Sequence, residues 1–524
     1  MKQSLAMEQM DQDWDLVVIG GGITGAGVLR EAVRNGFHAL LVEQRDFAWG
    51  TSSRSSKLVH GGLRYLKEGN FKLTRESIIE RERLLKEAPG LVRSLEFLLP
   101  IYQGKKPGKW AMEAGLAIYD MLSGKWRHRF FDKDIFLQKE PLVDNCRLMG
   151  GFSFLDAQVD DARLVLRLIK EAEAHGAMAL NYTRAMELLR SDTGEIKGLR
   201  IEDSETHEQK EIRTRLVINA TGAWAETLHP SPEKNQHLRP LRGSHLIFPR
   251  DVIPLGTTVS FFNPEDGRAL FAIPWEGAVL VGTTDIDHLS PLSMEPSITR
   301  DEADYLIKGL KTVFPSLDLS LSMAISSFSG VRPVVSEGKV AADKESREHV
   351  IWHDKGLVTV TGGKLTTFRS LAWDTLHAAL AYLPVRKLQG RNEPVFDRVS
   401  APVISTALSE EATRVLYGRY GMDAGNMIRR ALPEDLEYIP GTQTLWAELP
   451  QGASQEKIRH LDDLLLRRVR IGLLLKDGGR MYMDRIRTYC EPALDWDPLR
   501  WEKEIEDYFT LWQNCYSLPK KDGQ

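Results

Sequence analysis

The amino-acid sequence predicts an α/β fold with an additional helical region near its C-terminal end, and three observations lead to this prediction. A strand–helix–strand pattern with a glycine-rich first turn occupies residues 15–43. Short alternating apolar runs between residues 236 and 339, such as residues 278–282, are typical of strands. Beyond about residue 385, apolar residues recur with helical spacing.

The composition is that of an ordinary globular protein. The chain has 524 residues and a net charge of −4, from 69 Lys and Arg against 73 Asp and Glu. At roughly 150 residues per domain, this length suggests about three domains or two large ones. The apolar fraction of 42% excludes a wholly disordered chain, and the balanced charge gives no support for nucleic-acid binding.

The cysteines and the apolar runs indicate the cellular setting. Cys146, Cys490 and Cys515 are widely spaced, which predicts neither a disulfide framework nor a metal site. Free thiols suit a reducing compartment. The start of the chain lacks the pattern of a secretory signal peptide, and no run of about 18 apolar residues is present to cross a membrane. We therefore expect a soluble or peripheral protein that faces the cytoplasm.

The strongest local signal lies near the start of the chain. Residues 15–19 form a short β-branched apolar run typical of a buried strand, and residues 26–34 have helical composition. Residues 39–42 predict a second strand that ends at Glu43. The turn after the first strand, residues 20–25, has the pattern G-x-G-x-x-G. This is the order of elements in a dinucleotide-binding βαβ unit: strand, glycine turn, helix, strand and acid.

Each glycine of this turn has a physical role in holding a dinucleotide. Gly20 allows the tight turn, Gly22 lets the backbone approach a pyrophosphate, and Gly25 lets helix and strand pack closely. The pyrophosphate then lies on free N–H groups at the positive end of the helix dipole. Glu43 is placed to accept hydrogen bonds from ribose hydroxyls. This unit by itself leaves FAD and NAD open as the dinucleotide.

A hydroxyl-rich loop follows the second strand and leads into a pair of glycines. Hydroxyls just beyond a ribose-binding acid can hydrogen-bond a diphosphate and a ribityl chain, and Gly61 and Gly62 let main chain lie flat against a planar ring. The alternative interpretation is a surface turn of small polar residues. The loop residues predicted to bind a cofactor are Thr51, Ser52, Ser53, Ser56 and Lys57.

The stretch T-S-S-R-S-S-K-L-V-H-G-G-L-R-Y-L, residues 51–66, resembles the signature of FAD-dependent glycerol-3-phosphate dehydrogenases. Further segments resemble the same family in the same order along the chain. They are residues 159–165, 216–224, 243–245, 273–275, 282–285, 330–333 and 362–367. Close resemblance covers about residues 15–375, and it implies FAD as the cofactor.

The resemblance implies a Rossmann-like FAD-binding domain interleaved with an antiparallel-sheet substrate-cap domain. The FAD-binding domain is expected over residues 15–100, 150–235 and 340–380, and the cap over residues 236–339. Residues 101–149 are interpreted as a possible membrane-interface insert with basic and aromatic residues. A C-terminal helical domain is expected over residues 385–524, where the resemblance is looser.

Local patterns predict individual elements inside these domains. Residues 163–175 are expected to form a helix, with Asp160 or Asp161 as its N-cap. Residues 464–475 carry apolar and basic residues with helical spacing, and they resemble a D-x-L-x-R-R-T segment of the family with Val469 in place of the usual Thr.

The resemblance also assigns residues to a substrate that carries a phosphate dianion. Arg332 is the first choice for a phosphate or hydroxyl contact, because a guanidinium donates two parallel hydrogen bonds. Arg64 and Tyr65 are carried over as substrate-pocket residues. Lys364 is expected beside the substrate and near the flavin edge that gains negative charge on reduction. The other cofactor contacts implied are Gly61, Gly62, Gly222, Asp285, Gly363, Leu365 and Thr366.

Oxidation of a secondary alcohol by hydride transfer also requires a base for the hydroxyl proton, and histidine suits this role near neutral pH. His245 and His60 occupy family positions and are the candidate catalytic residues beside Arg332. His245 is favoured as the base, and His60 is expected to pack beside the flavin. The alternative is that Arg332 lowers the alcohol pKa and removes the need for a true base.

Residues 101–133 carry seven cationic and six aromatic side chains around an amphipathic run at residues 112–122. A basic rim with aromatic anchors favours attachment to a membrane surface. The alternative is an ordinary basic helix packed on the core. Membrane attachment, together with the lack of a long insertion typical of the soluble oxidases, favours a quinone over oxygen as electron acceptor.

The sequence therefore predicts a glycerol-3-phosphate:quinone oxidoreductase, peripheral on the inner face of the cell membrane, with a possible homodimer and without nucleic acid or metal. A related FAD-dependent oxidase or dehydrogenase of another small phosphorylated or carboxylated hydroxy-compound is the alternative. A flavin-binding protein without turnover is disfavoured, because Arg64, His245, Arg332 and Lys364 are all present.

Overall fold

The structure is a computed structural model that describes residues 10–67, 69–229, 237–336, 348–385, 387–388, 390–399 and 402–520. The described residues form three β-sheets and flanking helices, so the predicted α/β class is confirmed. Within the described ranges, no helix is both long and apolar enough to cross a bilayer.

The first sheet contains the parallel strands that the N-terminal glycine pattern predicts, and one edge strand, His349–Asp354, pairs with it antiparallel. The strand Leu16–Ile19 lies between two parallel neighbours, Ala39–Val42 and Val217–Asn219, and both predicted N-terminal strands are confirmed. Every residue of these three strands is buried, as expected for a parallel sheet that is covered on both faces. The strand order is His349–Asp354, Leu357–Gly362, Val217–Asn219, Leu16–Ile19, Ala39–Val42 and Met178–Leu180.

Three helices share a core with this sheet: Ile23–Arg34, Asp161–Ala174 and Phe368–Ala378. The second of them confirms the helix predicted at residues 163–175, although it begins two residues earlier. Asp160 is its N-cap, and the carboxylate accepts a hydrogen bond from the Arg163 N–H at 3.2 Å. A small sheet lies beside this unit, with the strand order Asp13–Trp14, Gln209–Thr214, Ile196–Asp203 and Thr183–Arg190.

The largest sheet joins separate parts of the chain. Its main path has the order Ile286–Asp287, His237–Pro249, Ala278–Gly282, Ala269–Trp275, Thr258–Phe262, Val92–Tyr102, Leu148–Val159 and Leu58–Val59. Two further strands pair at its side, Ser326–Ser336 with His237–Pro249 and Arg129–Asp132 with Leu148–Val159. The strands of the expected cap therefore continue into strands from residues 58–159, and the domain boundaries stay predictions.

Strand pairing in this sheet sets the positions of two candidate catalytic residues. Arg332 pairs with Leu241, and His245 pairs with Phe328, on antiparallel strands. On its other side, His245 pairs with Gly282. The sheet therefore holds Arg332 and His245 on adjacent strands with a fixed register.

The region after residue 385 is helical, as predicted. The helical pattern at residues 464–475 corresponds to two short helices, a π-helix at Asp463–Arg468 and an α-helix at Ile471–Leu474. Arg470 separates them because its φ of 60° is left-handed. The other described α-helices are Leu63–Lys67, Phe71–Glu87, Lys109–Ser123, Lys133–Lys139, Ala225–Leu228, Arg300–Val313, Glu410–Tyr420, Asp423–Arg430, Glu448–Gln455, Met483–Leu494 and Pro498–Cys515. Short 3-10 helices span Thr51–Ser53, Gly222–Trp224, Leu321–Met323, Leu365–Thr367, Leu380–Tyr382, Pro433–Leu436 and Lys476–Tyr482.

Candidate active site

A cavity of about 2730 Å³ opens at the carboxyl ends of the parallel strands. In open parallel sheets this edge is where ligands bind. Ile19, Glu43 and Ala220, which end or directly follow three of these strands, line the cavity. It extends past the hydroxyl-rich loop to Arg332 on the largest sheet. The parallel sheet and the largest sheet therefore face each other across one continuous space.

The glycine turn has the shape that a dinucleotide cradle requires. Gly20 has a φ of 112°, and a Cβ there would lie 2.6 Å from the Ala220 carbonyl oxygen. A Cβ at Gly25 would overlap the Gly20 carbonyl oxygen, so only glycine allows this helix to start so close to the strand. Gly22 is the N-cap of the helix and gives no side-chain cap, which leaves N–H groups for a pyrophosphate.

Glu43 and Ser52 hold this cradle in position. The Glu43 carboxylate accepts hydrogen bonds from the N–H groups of Gly21, at 2.7 Å, and Arg45, at 2.9 Å. Burial raises the pKa of Glu43 above its ordinary value. The Ser52 hydroxyl accepts the Ile23 N–H at 2.9 Å. Both Glu43 and Ser52 line the cavity, so each can contact a bound cofactor as well as the backbone.

The hydroxyl-rich loop divides into residues that face the cavity and residues that lie behind it. Thr51, Ser52 and Ser56 line the cavity. Lys57 points the other way: it is fully buried, its ammonium lies 2.8 Å from Asp161, and it donates to the Ser53 carbonyl at 2.5 Å. Burial lowers the pKa of Lys57 to about 8. The sequence suggested that Lys57 contacts the cofactor directly. The structure shows that Lys57 instead holds the loop from the side away from the cavity.

The two expected flavin-contacting glycines also separate. Gly62 lines the cavity with a φ of 79°. Gly61 instead packs against the Tyr119 side chain, where a Cβ would overlap the phenol. Four further residues predicted to contact the cofactor line the cavity, namely Gly222, Gly363, Leu365 and Thr366.

His60, Tyr65 and Lys364 form one group on the cavity wall. The rings of His60 and Tyr65 stack with their centroids 6.2 Å apart. The Lys364 ammonium lies 4.1 Å from the centre of the Tyr65 ring and donates to the Ser77 hydroxyl at 2.5 Å. Arg64 lies in the helix Leu63–Lys67, but its side chain is outside the described part of the structure.

Arg332 lies on the opposite wall and is held by several acceptors. Its guanidinium donates to the Asp285 carboxylate at 3.0 Å and to the Thr283 hydroxyl at 2.9 Å. A Cβ at Gly243 would overlap this guanidinium, so glycine makes room for Arg332 on the neighbouring strand. The sequence suggested that Asp285 contacts the cofactor. The structure shows its carboxylate occupied by Arg332 and by Arg268, so it positions two cations.

His245 lies one layer behind the cavity wall. Its ring is 1% exposed, stacks on Phe328 with centroids 4.7 Å apart, and has its Nε2 atom 2.9 Å from the Ser56 hydroxyl. Burial, followed by the charges of Arg332 and Lys57, keeps the pKa of His245 well below its ordinary value. His245 is therefore neutral and reaches the cavity through Ser56.

Sequence patterns missed two parts of the site. Arg268 follows a turn in the largest sheet and lines the cavity, but it belongs to no motif that the sequence presented. The helix Lys109–Ser123 also contributes one face to the cavity. That apolar face consists of Ala111, Met112, Gly115 and Ile118, and Phe97, Leu99 and Phe154 line the same cavity. Their helical spacing at positions i, i+1, i+4 and i+7 was the available signal.

The predicted basic and aromatic segment has an exposed side. Trp110 is 81% exposed and Trp126 is 69% exposed. Lys105 and Arg129 are also exposed. Tyr119 is one of the six aromatic residues of this segment that the sequence predicts as anchors. For Tyr119 this prediction is wrong, because its side chain is buried and its hydroxyl accepts a hydrogen bond from Arg81 and donates one to Asp156.

These features define an FAD-dependent oxidoreductase: a glycine-cradled βαβ unit, a hydroxyl-rich loop along one cavity, and cations beside it. The family model described as "FAD dependent oxidoreductase" matches residues 15–369, and that of the "C-terminal domain of alpha-glycerophosphate oxidase" matches residues 385–500. The aerobic glycerol-3-phosphate dehydrogenase of Staphylococcus saprophyticus is 32% identical, over 94% of this chain and 92% of its own. The aerobic glycerol-3-phosphate dehydrogenase of Bacillus subtilis is 33% identical, over 97% of this chain and 95% of its own. The chain belongs to the family of FAD-dependent glycerol-3-phosphate dehydrogenases.

Solved structures agree with this assignment. The glycerol-3-phosphate dehydrogenase from Bacillus halodurans complexed with FAD superposes with a TM-score of 0.76 at 27% identity, over 97% of both chains. The L-alpha-glycerophosphate oxidase from Mycoplasma pneumoniae with FAD bound has a TM-score of 0.57 at 18% identity, over 74% of this chain and 98% of its own. The second likeness shows a shared fold. FAD is the cofactor of this protein, as predicted.

Proposed function

We propose that the protein oxidises sn-glycerol 3-phosphate to dihydroxyacetone phosphate and passes the electrons to a membrane quinone. Bound FAD supplies the hydride acceptor. The observation that carries the proposal is the position of Arg332, fixed by Asp285 and Thr283 on the cavity wall that faces the dinucleotide cradle. The names of the relatives support the choice of substrate.

The charges on the cavity wall suit a phosphorylated alcohol. A phosphate dianion requires fixed cations, and a guanidinium held by other groups loses little freedom when it binds one. Arg332 and Lys364 line the same cavity. Arg332 is held by a hydrogen bond to the Thr283 hydroxyl, and Lys364 by one to the Ser77 hydroxyl. In the proposal, Arg332 binds the substrate, and Lys364 with Tyr65 completes the opposite wall.

We assign the hydroxyl proton to His245 through Ser56. In this scheme the substrate hydroxyl donates its proton to the Ser56 oxygen while Ser56 donates its own proton to His245 Nε2, 2.9 Å away. A neutral imidazole is required as the acceptor, and burial keeps His245 in that state. His60 lines the cavity directly and is the competing base.

The apolar part of the cavity, which the helix Lys109–Ser123 lines with one face, supports a quinone as the electron acceptor. Trp110 on the same helix is exposed, and so is Trp126. Exposed indoles beside exposed cations are suited to the surface of an anionic membrane. An apolar ligand that enters from the membrane would then follow this helix towards the flavin-binding part of the cavity.

The test is an anaerobic mixing experiment with the purified holoenzyme. Addition of sn-glycerol 3-phosphate should bleach the flavin absorbance, and a quinone analogue should restore it. Recovery with oxygen but without response to the quinone analogue would refute the quinone half. Flavin that stays oxidised would refute the substrate. In parallel, His245→Asn and Ser56→Ala should slow bleaching by about 10²–10⁴-fold if they form the proton path, whereas His60→Asn should do so if His60 is the base.

Membrane attachment has its own test. A variant that combines Lys105→Gln, Arg129→Gln, Trp110→Ala and Trp126→Ala should no longer sediment with vesicles of anionic phospholipid, while its turnover with an artificial dye stays near that of the unmodified enzyme. Lys503→Gln is the matched control, because its side chain is 75% exposed on a C-terminal helix. Continued sedimentation of the fourfold variant would place the attachment surface elsewhere.

A further inference from the structure

Arg268 is a cation on the cavity wall that lies outside the segments singled out in the sequence analysis. It begins the strand region that continues as Ala269–Trp275, and its side chain is 18% exposed. One terminal nitrogen donates to Asp285 at 2.6 Å. Among the described residues, its Nε and other terminal nitrogen have no protein acceptor. Arg268 therefore lines the cavity with donors still available to a ligand.

Asp285 couples Arg268 to Arg332. Its side chain is fully buried, with one carboxylate oxygen bonded to Arg268 and the other to Arg332. Two guanidinium groups therefore share one carboxylate. Since each arginine is anchored by that shared carboxylate, both groups are held close together on the same wall. A buried carboxylate that orients two cations is a means of pre-organising an anion site.

Asp266, the acidic residue near Arg268 in the sequence, does not pair with the Arg268 side chain. Asp266 lines the cavity too, but its carboxylate accepts hydrogen bonds from the Tyr305 hydroxyl at 3.0 Å and from the Arg268 backbone N–H at 2.9 Å. It is placed to shape the turn before Arg268, and the Arg268 side chain pairs with Asp285 instead.

We propose that Arg268 is a second phosphate-binding residue, which together with Arg332 grips the dianion of the substrate. This inference rests on the proposed function and adds a specificity-determining residue to it. A two-arginine site selects a phosphate dianion over a neutral alcohol, because each guanidinium donates charge-assisted hydrogen bonds to different phosphate oxygens. Arg268 contacts the substrate remote from the carbon that is oxidised, so its loss should affect binding more than turnover.

The experiment uses the FAD-loaded enzyme with Arg268→Gln and Arg268→Lys. Arg268→Gln should raise KM for sn-glycerol 3-phosphate by on the order of 10- to 100-fold with a smaller change in kcat. Arg268→Lys should recover part of that loss, because it restores the charge without the planar fork. Arg239→Gln is the matched control: it breaks an arginine–aspartate pair with Asp287 on the same sheet, away from the cavity lining.

A binding readout separates this role from a structural one. Inorganic phosphate titrated into the oxidised enzyme should perturb the flavin absorbance of the unmodified protein and of Arg239→Gln, and the apparent Kd should rise at least tenfold in Arg268→Gln. FAD content should stay unchanged in all three proteins, and the thermal unfolding midpoint of Arg268→Gln should fall only modestly, because Arg332 still pairs with Asp285. An unchanged KM and phosphate Kd would overturn the inference, and so would a loss of FAD. If the unmodified enzyme is not bleached by sn-glycerol 3-phosphate, the proposed function fails; if it is bleached and Arg268→Gln behaves identically, the failure belongs to Arg268 alone.

Discussion

The loss of one carboxylate, Asp46, should destabilise the contact between the FAD-binding loop and the C-terminal helices. Asp46 is fully buried and lies three residues after Glu43. It accepts hydrogen bonds from Arg467 at 2.5 Å and from Arg468 at 2.8 Å, and both arginines are at most 1% exposed. Asn181 donates to the same carboxylate at 3.1 Å.

The magnitude follows from what each arginine retains in Asp46→Ala. Arg467 keeps two acceptors, Asp462 at 2.7 Å and Asp463 at 2.6 Å. Arg468 keeps the Glu456 carbonyl at 2.7 Å but loses its carboxylate partner. Breaking one side of a buried ion pair typically costs about 3–5 kcal/mol, because the remaining charge stays buried. We expect a cost in this range, carried mainly by Arg468.

The assay is urea unfolding of the holoenzyme at a fixed FAD concentration, followed by flavin release and by circular dichroism. A chain of this length need not unfold in one step, so midpoints are compared between variants. Asp46→Asn should fall between Asp46→Ala and the unmodified protein, since an amide retains hydrogen bonds but not the charge. Asp13→Ala is the control, because its pair with Arg213 is exposed, at 82% and 71%. A midpoint for Asp46→Ala equal to that of Asp13→Ala would refute the reasoning.

Three further changes test the cofactor cradle, the substrate contact and a pH-dependent ion pair. Gly22→Val should abolish FAD retention by obstructing the pyrophosphate, measured as flavin content after gel filtration. Arg332→Ala should raise KM steeply and lower kcat in steady-state assays, since a hydrogen bond to a charged group is worth about 1.5–3 kcal/mol. Burial alone would lower the pKa of His460, but hydrogen bonds to Glu205 and Glu504 raise it to about 10. Its stabilising effect is then complete below pH 6.5 and is lost as the pH rises through about 10. Thermal unfolding should show His460→Gln less stable than the parent near pH 6, with the gap closing at alkaline pH, and a gap independent of pH would contradict this.

The parts of the fold that could be predicted are those encoded by neighbouring residues. The strand at Leu16–Ile19 and the glycine turn after it have a periodicity and a spacing that short segments display by themselves. The position of His245 behind Ser56 could not be read in this way, because the two residues are 189 positions apart. Arg268 was missed for the same reason, since its partner Asp285 is 17 positions away, in the segment between the strands Ala278–Gly282 and Ile286–Asp287. A family motif identified Lys57 and Asp285, but it did not reveal that each positions other groups.

The C-terminal helices also belong to the active-site architecture, because they hold the loop from Asp46 to Lys57 in position. One side of this loop lines the cavity, and its other side contacts arginines of the C-terminal region. Arg470 donates to Asp160 at 2.9 Å and to the Ser53 carbonyl at 3.1 Å. Since Asp160 also caps the helix that begins beside this loop, one C-terminal arginine fixes both the loop and the helix start. The carboxylates of Asp46 and Asp160 are buried. They would lose their arginine partners if the C-terminal region moved away, and each loss would cost several kcal/mol of stability. The looser sequence pattern of that region is therefore compatible with a strict requirement at a few buried arginines, whose task is to hold the cofactor loop in place.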